Sequence, residues 1–352
     1  MIAQGLVTEL LVRGAASGAF VLLALGVIQG ARTPARLTGA LFCLAAAAHT
    51  LTQSRTAVSH LGVAFAPVWV LSVMGAGLFW AFAIELFGDN RRLAPSRFAP
   101  AAALLATAGL AMVTPPPVAR ALWLAQNLIG GGLLLHVLLV VWTGWRGDLV
   151  EARRRLRGPL LGTAALYALA VVAVQSAELY SGPAAGLSML AATVLLALGV
   201  AGGAVFLRAD DRLFGPVTGR ATPAAIAPQD QPLLARLSEA LDIQEAWREE
   251  GLTIRTLAGK VGAPEHHLRR LINERLGYRN FTVFINERRI AAAKLVLADP
   301  DQARTTIAVV AYDVGFGSLG PFNRAFREAA GQTPTAWRRA AQGDWSIPET
   351  AG

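Results

Sequence analysis

The sequence predicts an all-α protein in two parts, a seven-helix transmembrane bundle followed by a soluble helical domain. Three observations predict it. Of 352 residues, 54% are apolar and 16% charged, with a mean hydropathy of +0.46, whereas soluble domains carry about 25% charge. The apolar residues cluster before position 208 in runs near the ~20 residues a helix needs to cross a bilayer core. Beyond position 232 they recur at helical spacing, without the alternation of a strand. An all-soluble chain is excluded, and the single cysteine, Cys43, excludes an intrachain disulfide framework and any Cys-rich zinc site.

The runs fall at 9–30, 36–53, 61–87, 98–114, 118–145, 159–179 and 183–207. The run 98–114 is the shortest. Lys and Arg counted in alternate loops orient the bundle. One set holds Arg32, Arg36, Arg91, Arg92, Arg97, Arg146, Arg153, Arg154, Arg155, Arg157, Arg208, Arg212 and Arg220; the other holds Arg55 and Arg120. Thirteen against two places the first set, and the C-terminal part, in the cytoplasm, with the N-terminus outside. Reading the first run as a cleaved signal peptide fails on parity, because six remaining spans would leave the Arg-rich loops on the wrong side. The expected location is a bacterial inner (cytoplasmic) membrane, crossed several times, with the lipid bilayer as a partner.

Residues 1–208 thus form a sensor or anchor. Residues 209–232, with Pro216, Pro223, Pro228 and Pro232, read as a linker. From Leu233 an amphipathic helix begins, with Leu233, Leu234, Leu237 and Leu241 on one face. The soluble domain is expected over 233–340, and 341–352 as a tail.

Within that domain Leu257-Ala258-Gly259-Lys260-Val261-Gly262 recurs as Val310-Ala311-Tyr312-Asp313-Val314-Gly315. A small residue four places before a turn glycine suits a helix-turn-helix: Ala lets two helices approach, and Gly accepts a backbone that other residues resist. Each copy leads into a basic amphipathic helix. In the first, Leu268, Leu271 and Ile272 form the packing stripe, opposite His266, Arg269, Arg270 and Asn273. In the second, Phe322, Ala325, Phe326 and Ala329 pack, while Gly320, Asn323, Arg324 and Arg327 face outward. Arg and Asn on one exposed face suit base edges and phosphates of double-stranded DNA. One such helix is usually a solvated charged face; two behind the same turn point to DNA.

The stretch Leu252–Arg338 resembles the C-terminal domain of AraC/XylS-type transcription regulators. The resemblance rests on Val309-Val310-Ala311, Gly315-Phe316, Phe322-Asn323-Arg324-Ala325-Phe326-Arg327, Gly331-Gln332-Thr333-Pro334 and Trp337-Arg338. The middle, with Asn280-Phe281 and Phe284 to Ile290, is similar to the subgroup fused to polytopic membrane regions. The resemblance implies a seven-helix domain with two helix-turn-helix units joined by a long helix, here roughly 280–297. Its reading helices enter successive major grooves of promoter DNA. By position, the first reading head is His266, Arg269 and Arg270, with Asn273 on the same face. The second is Leu319, Gly320, Asn323 and Arg324, flanked by Ser318 and Arg327. Pro264 stands where a capping Ser is frequent, though Pro suits a first helical turn. Gly320-Pro321 replaces polar residues, shifting the second head towards phosphate positioning.

Ionisable groups inside spans are functional candidates. Arg13, His49, Gln126, Asn127, Gln175, Glu178 and Tyr180, with Trp69 and Trp123 at similar depth, fall in the outer halves of their spans. They would suit an unidentified small-molecule or membrane signal, with Arg13 and Glu178 as partners; the plainer reading is structural pairing or snorkelling. Glu85 and His136 lie nearer the inner side, as a relay or as interhelical hydrogen bonds. Gly14-xxx-Gly18 and Gly199-xxx-Gly203 match the small-residue packing motif of a homodimer. Cys43 reads as an inert core thiol.

No His-Glu-x-x-His, phosphate-binding Gly-rich loop or Gly-x-Ser-x-Gly elbow occurs. The chain is therefore expected to be no enzyme and to take no metal or cofactor. It reads as a membrane-embedded one-component transcription regulator. The rival is a membrane receptor or transporter whose cytoplasmic domain binds a protein; a third reading is a regulator released by proteolysis within 209–232. The net charge of +9 does not decide among them. Residues 1–220 carry sixteen basic and eight acidic residues, whereas 221–352 carry sixteen and fifteen, so most of the excess sits in loops that set membrane orientation.

Overall fold

The computed structural model describes residues 2–29, 33–87, 93–144, 147–150, 158–159, 162, 185–207 and 227–342. The expectations for Arg32, Arg91, Arg92, Arg146, Arg153, Arg154, Arg155, Arg157, Arg208, Arg212, Arg220, Gln175, Glu178 and Tyr180, and for the run 159–179, lie almost entirely outside these residues. Among the described residues the chain is helical, and an isolated antiparallel bridge between Asp148 and Asn280 is its one extended pairing. It divides into two compact units: 1–145 with 151–218, and 146–150 with 219–352.

The first unit contains α1 (Ile2–Ile28), α2 (Pro34–Thr52), the short α3 (Arg55–His60), α4 (Phe65–Phe87), α5 (Ala99–Val113), α6 (Pro116–Gly144) and α7 (Ala185–Leu207). Four stretches, Leu6–Ile28, Gly62–Phe87, Pro95–Val113 and Pro116–Gly144, are long and apolar enough to cross a membrane. The expectation of seven spans therefore finds four among the described residues. The run 36–53 is α2, which carries Arg36, Thr38, His49 and Thr50 and falls short in apolar character. In α7 the apolar stretch among the described residues is Met189–Ala204.

Helix α2 packs against both α1 and α4, α1 also against α7, and α5 against α4 and α6. Phe20, Leu23 and Val27 of α1 meet Ala40, Cys43 and Ala47 of α2 and Phe82 and Leu86 of α4 in one buried cluster. Close approach depends on small residues: a Cβ at Gly77 would lie 2.4 Å from the Ala101 backbone nitrogen. A Cβ on Gly199 would meet Ala19 and Phe20 of α1, while one on Gly14 or Gly18 would meet nothing within 4 Å. Arg36, buried, donates through Nη1 to the Val27 carbonyl (3.0 Å) and to that of Gln29, capping the end of α1 where helix carbonyls lack partners.

Of the polar residues proposed as a sensing cluster, Arg13 is buried, its Nε 2.9 Å from Glu9 Oε1 and its Nη1 2.8 Å from the Thr50 carbonyl. His49 Nδ1 lies 3.3 Å from Ser72 Oγ. Gln126 is half-buried and its Oε1 has no hydrogen-bond partner, whereas Asn127 is exposed. Arg13 and His49 thus join α1, α2 and α4. Glu85 and His136 serve as interhelical bonds: Arg97 Nε donates to Glu85 Oε1 (2.8 Å) and Trp80 Nε1 to His136 Nδ1 (2.9 Å).

The second unit contains α8 (Gln231–Ser238), α9 (Ile254–Lys260), α10 (Glu265–Arg270), α11 (Phe281–Ala298), α12 (Ile307–Asp313), α13 (Leu319–Ala330) and α14 (Pro334–Gln342). Among its described residues these seven α-helices surround one core that includes Leu237, Leu241, Leu257, Leu268, Phe284, Val310, Phe322 and Phe326. Helix α8 opens inside the expected linker, with Pro232 in its first turn. The long α11 packs against α12, α13 and α14.

Candidate nucleic-acid interface

The two internal copies fold alike because the same residue types make the same local bonds. Thr253 and Thr306 each cap a helix, accepting from the amide of Thr256 (3.2 Å) and Val309 (3.2 Å). Each helix ends nine positions later on a glycine in the left-handed region, Gly262 (φ 61°) and Gly315 (φ 87°). The closing bonds match as well: Gly262 N donates to the Gly259 carbonyl (3.2 Å) and Ala263 N to Ala258 (3.0 Å). In the second copy Gly315 N donates to Tyr312 (2.8 Å) and Phe316 N to Ala311 (3.0 Å). This double closure satisfies the last carbonyls and turns the chain into the next helix. Ala258 and Ala311 are buried as the close approach requires. The capping threonines extend the repeat beyond what Ala-xxx-Gly revealed, and a search for Thr nine places before each turn glycine would have found them.

The reading helices differ. In the second unit α13 is amphipathic, with Phe322 and Phe326 fully buried. Ser318, Leu319, Gly320, Arg324 and Arg327 are exposed and Asn323 is half-buried, so the second head lies together on one open face. Ala329, expected in the packing stripe, is exposed; Ala330 packs instead. A Cβ on Gly320 would meet only Arg324 Nη1, at 3.7 Å, so nothing crowds that position.

The first head is less uniform. His266 and Arg270 are exposed, His266 edge-on to His267 with ring centres 4.3 Å apart. Arg269 is buried. Its Nε donates to Glu265 Oε1 (2.9 Å) and its Nη1 to the Asp148 carbonyl (2.6 Å). Asn273 is half-buried, donating through Nδ2 to the Tyr278 carbonyl (2.9 Å). Spacing by 3.6 residues placed all four on one face, but α10 continues from Leu271 to Arg275 as a π turn, whose extra residue rotates Asn273 and its neighbours away from that face. Arg270 lies 3.9 Å from the Asp230 carboxylate, which Arg275 Nε also reaches at 3.0 Å.

Electrostatics at the first unit centre on Glu265. Burial alone would raise its carboxyl, but hydrogen bonds and charge from Arg269 and then Arg255 bring it below the usual value. The pair is therefore complete above the ordinary carboxylate range and is lost as pH falls through the depressed value. Sequence reasoning missed Arg289 of α11. It is buried, its Nε 2.7 Å from the Trp247 carbonyl and its Nη2 2.8 Å from that of Glu249, with its guanidinium 5.3 Å from the Phe316 ring centre. Burial lowers its affinity for the proton. This residue ties the connecting helix to the turn of the second unit. Among the described residues no three His, Cys, Asp or Glu are grouped to hold a metal ion.

Comparison with known proteins agrees with this geometry. The family described as "Helix-turn-helix domain" matches residues 257–340. An uncharacterized HTH-type transcriptional regulator of Staphylococcus aureus (strain MSSA476) is 35% identical over 103 residues, 29% of this chain and 13% of the relative. A namesake from strain N315 matches to the same extent. A probable transcription factor PqrA of Proteus vulgaris is 31% identical over 105 residues, 29% of this chain and 78% of that protein. The chain thus spans about an eighth of the Staphylococcus relatives it matches but most of the Proteus one. No solved structure matches it.

Proposed function

We propose, from the premise that this chain belongs to the AraC-type helix-turn-helix family of DNA-binding transcription regulators, that it is a membrane-embedded one-component regulator. Residues 233–340 bind promoter DNA and the spans before Arg208 sense or anchor. The observation that carries the DNA-binding reading is α13, whose open face presents Ser318, Leu319, Gly320, Asn323, Arg324 and Arg327 behind a turn built like the first. Arg324 is the natural base-edge or phosphate contact on that face, and His266 and Arg270 offer the corresponding contacts on α10.

Arg324→Ala in the full-length chain, held in detergent at fixed salt, is expected to weaken duplex binding by about 1–3 kcal/mol. Footprinting reads it out. Loss confined to one base position assigns Arg324 to base readout; uniform loss with a shallower salt slope assigns it to phosphate. If Arg324→Ala and Arg327→Ala together leave binding unchanged, the reading falls and a protein-binding scaffold takes its place.

The membrane reading is supported by the four long apolar helices and by the thirteen-to-two split of loop arginines. It places the bundle in a bacterial inner membrane with the N-terminus outside and the DNA-binding domain in the cytoplasm. Alkaline phosphatase fused near position 55 should be active, and fused near 150 or 215 inactive. An active fusion at 215 overturns this topology. Signal sensing is proposed for the polar residues Arg13, His49, Gln126, Asn127, Gln175 and Glu178. A change there would pass through α7 to the orientation or homodimerisation of the DNA-binding domains.

A further inference from the structure

The linker before Pro228 is the obvious connection between the apolar part of the chain and the DNA-binding domain. The second unit, however, also contains residues 146–150, which come just after α6 and long before the linker in sequence. Residues 147–150 dock through an isolated antiparallel bridge. Leu149 N donates to the Arg279 carbonyl (3.0 Å) and Phe281 N to that of Gly147 (2.9 Å), an antiparallel pairing centred on Asp148 and Asn280. Leu149 is 3% exposed and belongs to the same apolar core as Leu257, Leu268 and Phe284. Asp148 and Val150 are buried too, and Asp148 Oδ1 accepts from Val150 N at 3.0 Å. A few residues of an interspan loop thus share backbone bonds and core with the first helix-turn-helix unit.

The same segment touches the reading helix. The Asp148 carbonyl accepts from Arg269 Nη1 at 2.6 Å, while Glu265 holds Nε from the other side. An arginine on the helix that should meet DNA is therefore satisfied by two internal acceptors and turned away from solvent. We infer that the 147–150 segment is an intramolecular docking element that withholds Arg269 from DNA, and that its release is the step by which the loop after α6 governs the first reading head. Two features make release feasible. The docked segment is four residues long, held by backbone bonds, the Arg269–Asp148 bond and one core leucine among others, a local contact against the whole domain core. Arg269 also has an alternative acceptor of opposite charge, a DNA phosphate, to which it can turn with little loss once the loop leaves.

The inference rests on the DNA-binding reading above, and its test separates the two. Asp148 and Asn280 form a non-hydrogen-bonded antiparallel pair, in which Cα atoms approach to about 4.5 Å, within the range a disulfide spans. The full-length double variant Asp148→Cys/Asn280→Cys, with Cys43→Ala to remove the remaining thiol, is oxidised mildly without DNA. It is then titrated with sonicated genomic duplex at low salt, before and after reduction. Cross-linking in high yield is expected, with duplex binding about tenfold weaker in the cross-linked form than in the reduced one, since one arginine contact of about 1.4 kcal/mol is worth that factor. Failure to cross-link overturns the docking. Equal binding by the two forms overturns the withholding of Arg269. A reduced protein that binds no duplex counts against the DNA-binding reading, and the inhibitory role falls with it.

Discussion

Gly315→Ala is expected to unfold the second helix-turn-helix unit, at a cost of about 3 kcal/mol or more. At φ 87° the backbone there already disfavours a side chain, and an added Cβ would lie 2.5 Å from the Arg248 carbonyl oxygen and 3.0 Å from Arg289 Nη2. The carbonyl belongs to a short helical turn, Ala246–Arg248, that is pinned by Arg289, so it cannot step aside cheaply. The equivalent Gly262→Ala provides the contrast. Its φ is 61°, but the nearest atom to the new Cβ is the flexible Arg236 Nη1 at 3.4 Å, and the expected cost is about 1 kcal/mol, that of the left-handed backbone alone. Amide hydrogen exchange over 307–330 in the full-length chain measures the first and over 254–275 the second. Equal, small effects at both glycines would show that the Arg248 carbonyl yields, and the rigidity ascribed to this corner would be wrong.

Arg289→Met is expected to cost about 3 kcal/mol, although the side chains are similar in length. Replacing a buried charge by an apolar group is often tolerated when both partners go. Here the partners are backbone carbonyls that stay behind: that of Trp247 is left buried without its donor, at about 1–3 kcal/mol, while that of Glu249 is partly exposed and still accepts from Leu252 N (3.3 Å). Arg289→Lys should rescue little, because one ammonium lacks the planar fork that reaches both carbonyls at once. The shift in urea midpoint for the transition reported by Trp247 and Trp337 fluorescence reads the loss. A midpoint for Arg289→Met equal to that of the parent would remove Arg289 as the brace of the second unit. Because the brace bears on Gly315, both substitutions should also lower duplex affinity through a displaced α13 while leaving the apolar helices of the first unit unchanged.

Much of the second unit was legible from residue type and spacing. Ala258 to Gly262 and Ala311 to Gly315 are local motifs whose hydrogen bonds span a few residues, so sequence proximity is enough to predict them. The buried stripe of Phe322 and Phe326 with the open face of Arg324 comes from helical periodicity in the same way. Periodicity failed at α10 because the π turn from Leu271 alters the angle per residue, and Asn273 consequently turns to the Tyr278 carbonyl. In the first unit the apolar runs 61–87 and 118–145 were plain. At 36–53 the cluster of apolar residues overstated the run, because Arg36, Thr38, His49 and Thr50 of α2 lower its apolar character below that of a span.

By itself, then, the sequence determined the helical class, the division into an apolar and an amphipathic part, and the paired turns that place this chain among helix-turn-helix regulators. Each of these depends on composition or on contacts within a few residues. Only the tertiary structure decided which basic residues of the reading helices are open and which are engaged. Arg269 meets the carbonyl of a residue 121 positions away, and Arg289 meets carbonyls 42 and 40 positions away. No periodicity encodes such pairs: a guanidinium on a helix face looks the same in sequence whether it waits for DNA or is satisfied by a distant backbone. What separates Arg324 from Arg269 is the chain that folds back over one and leaves the other bare.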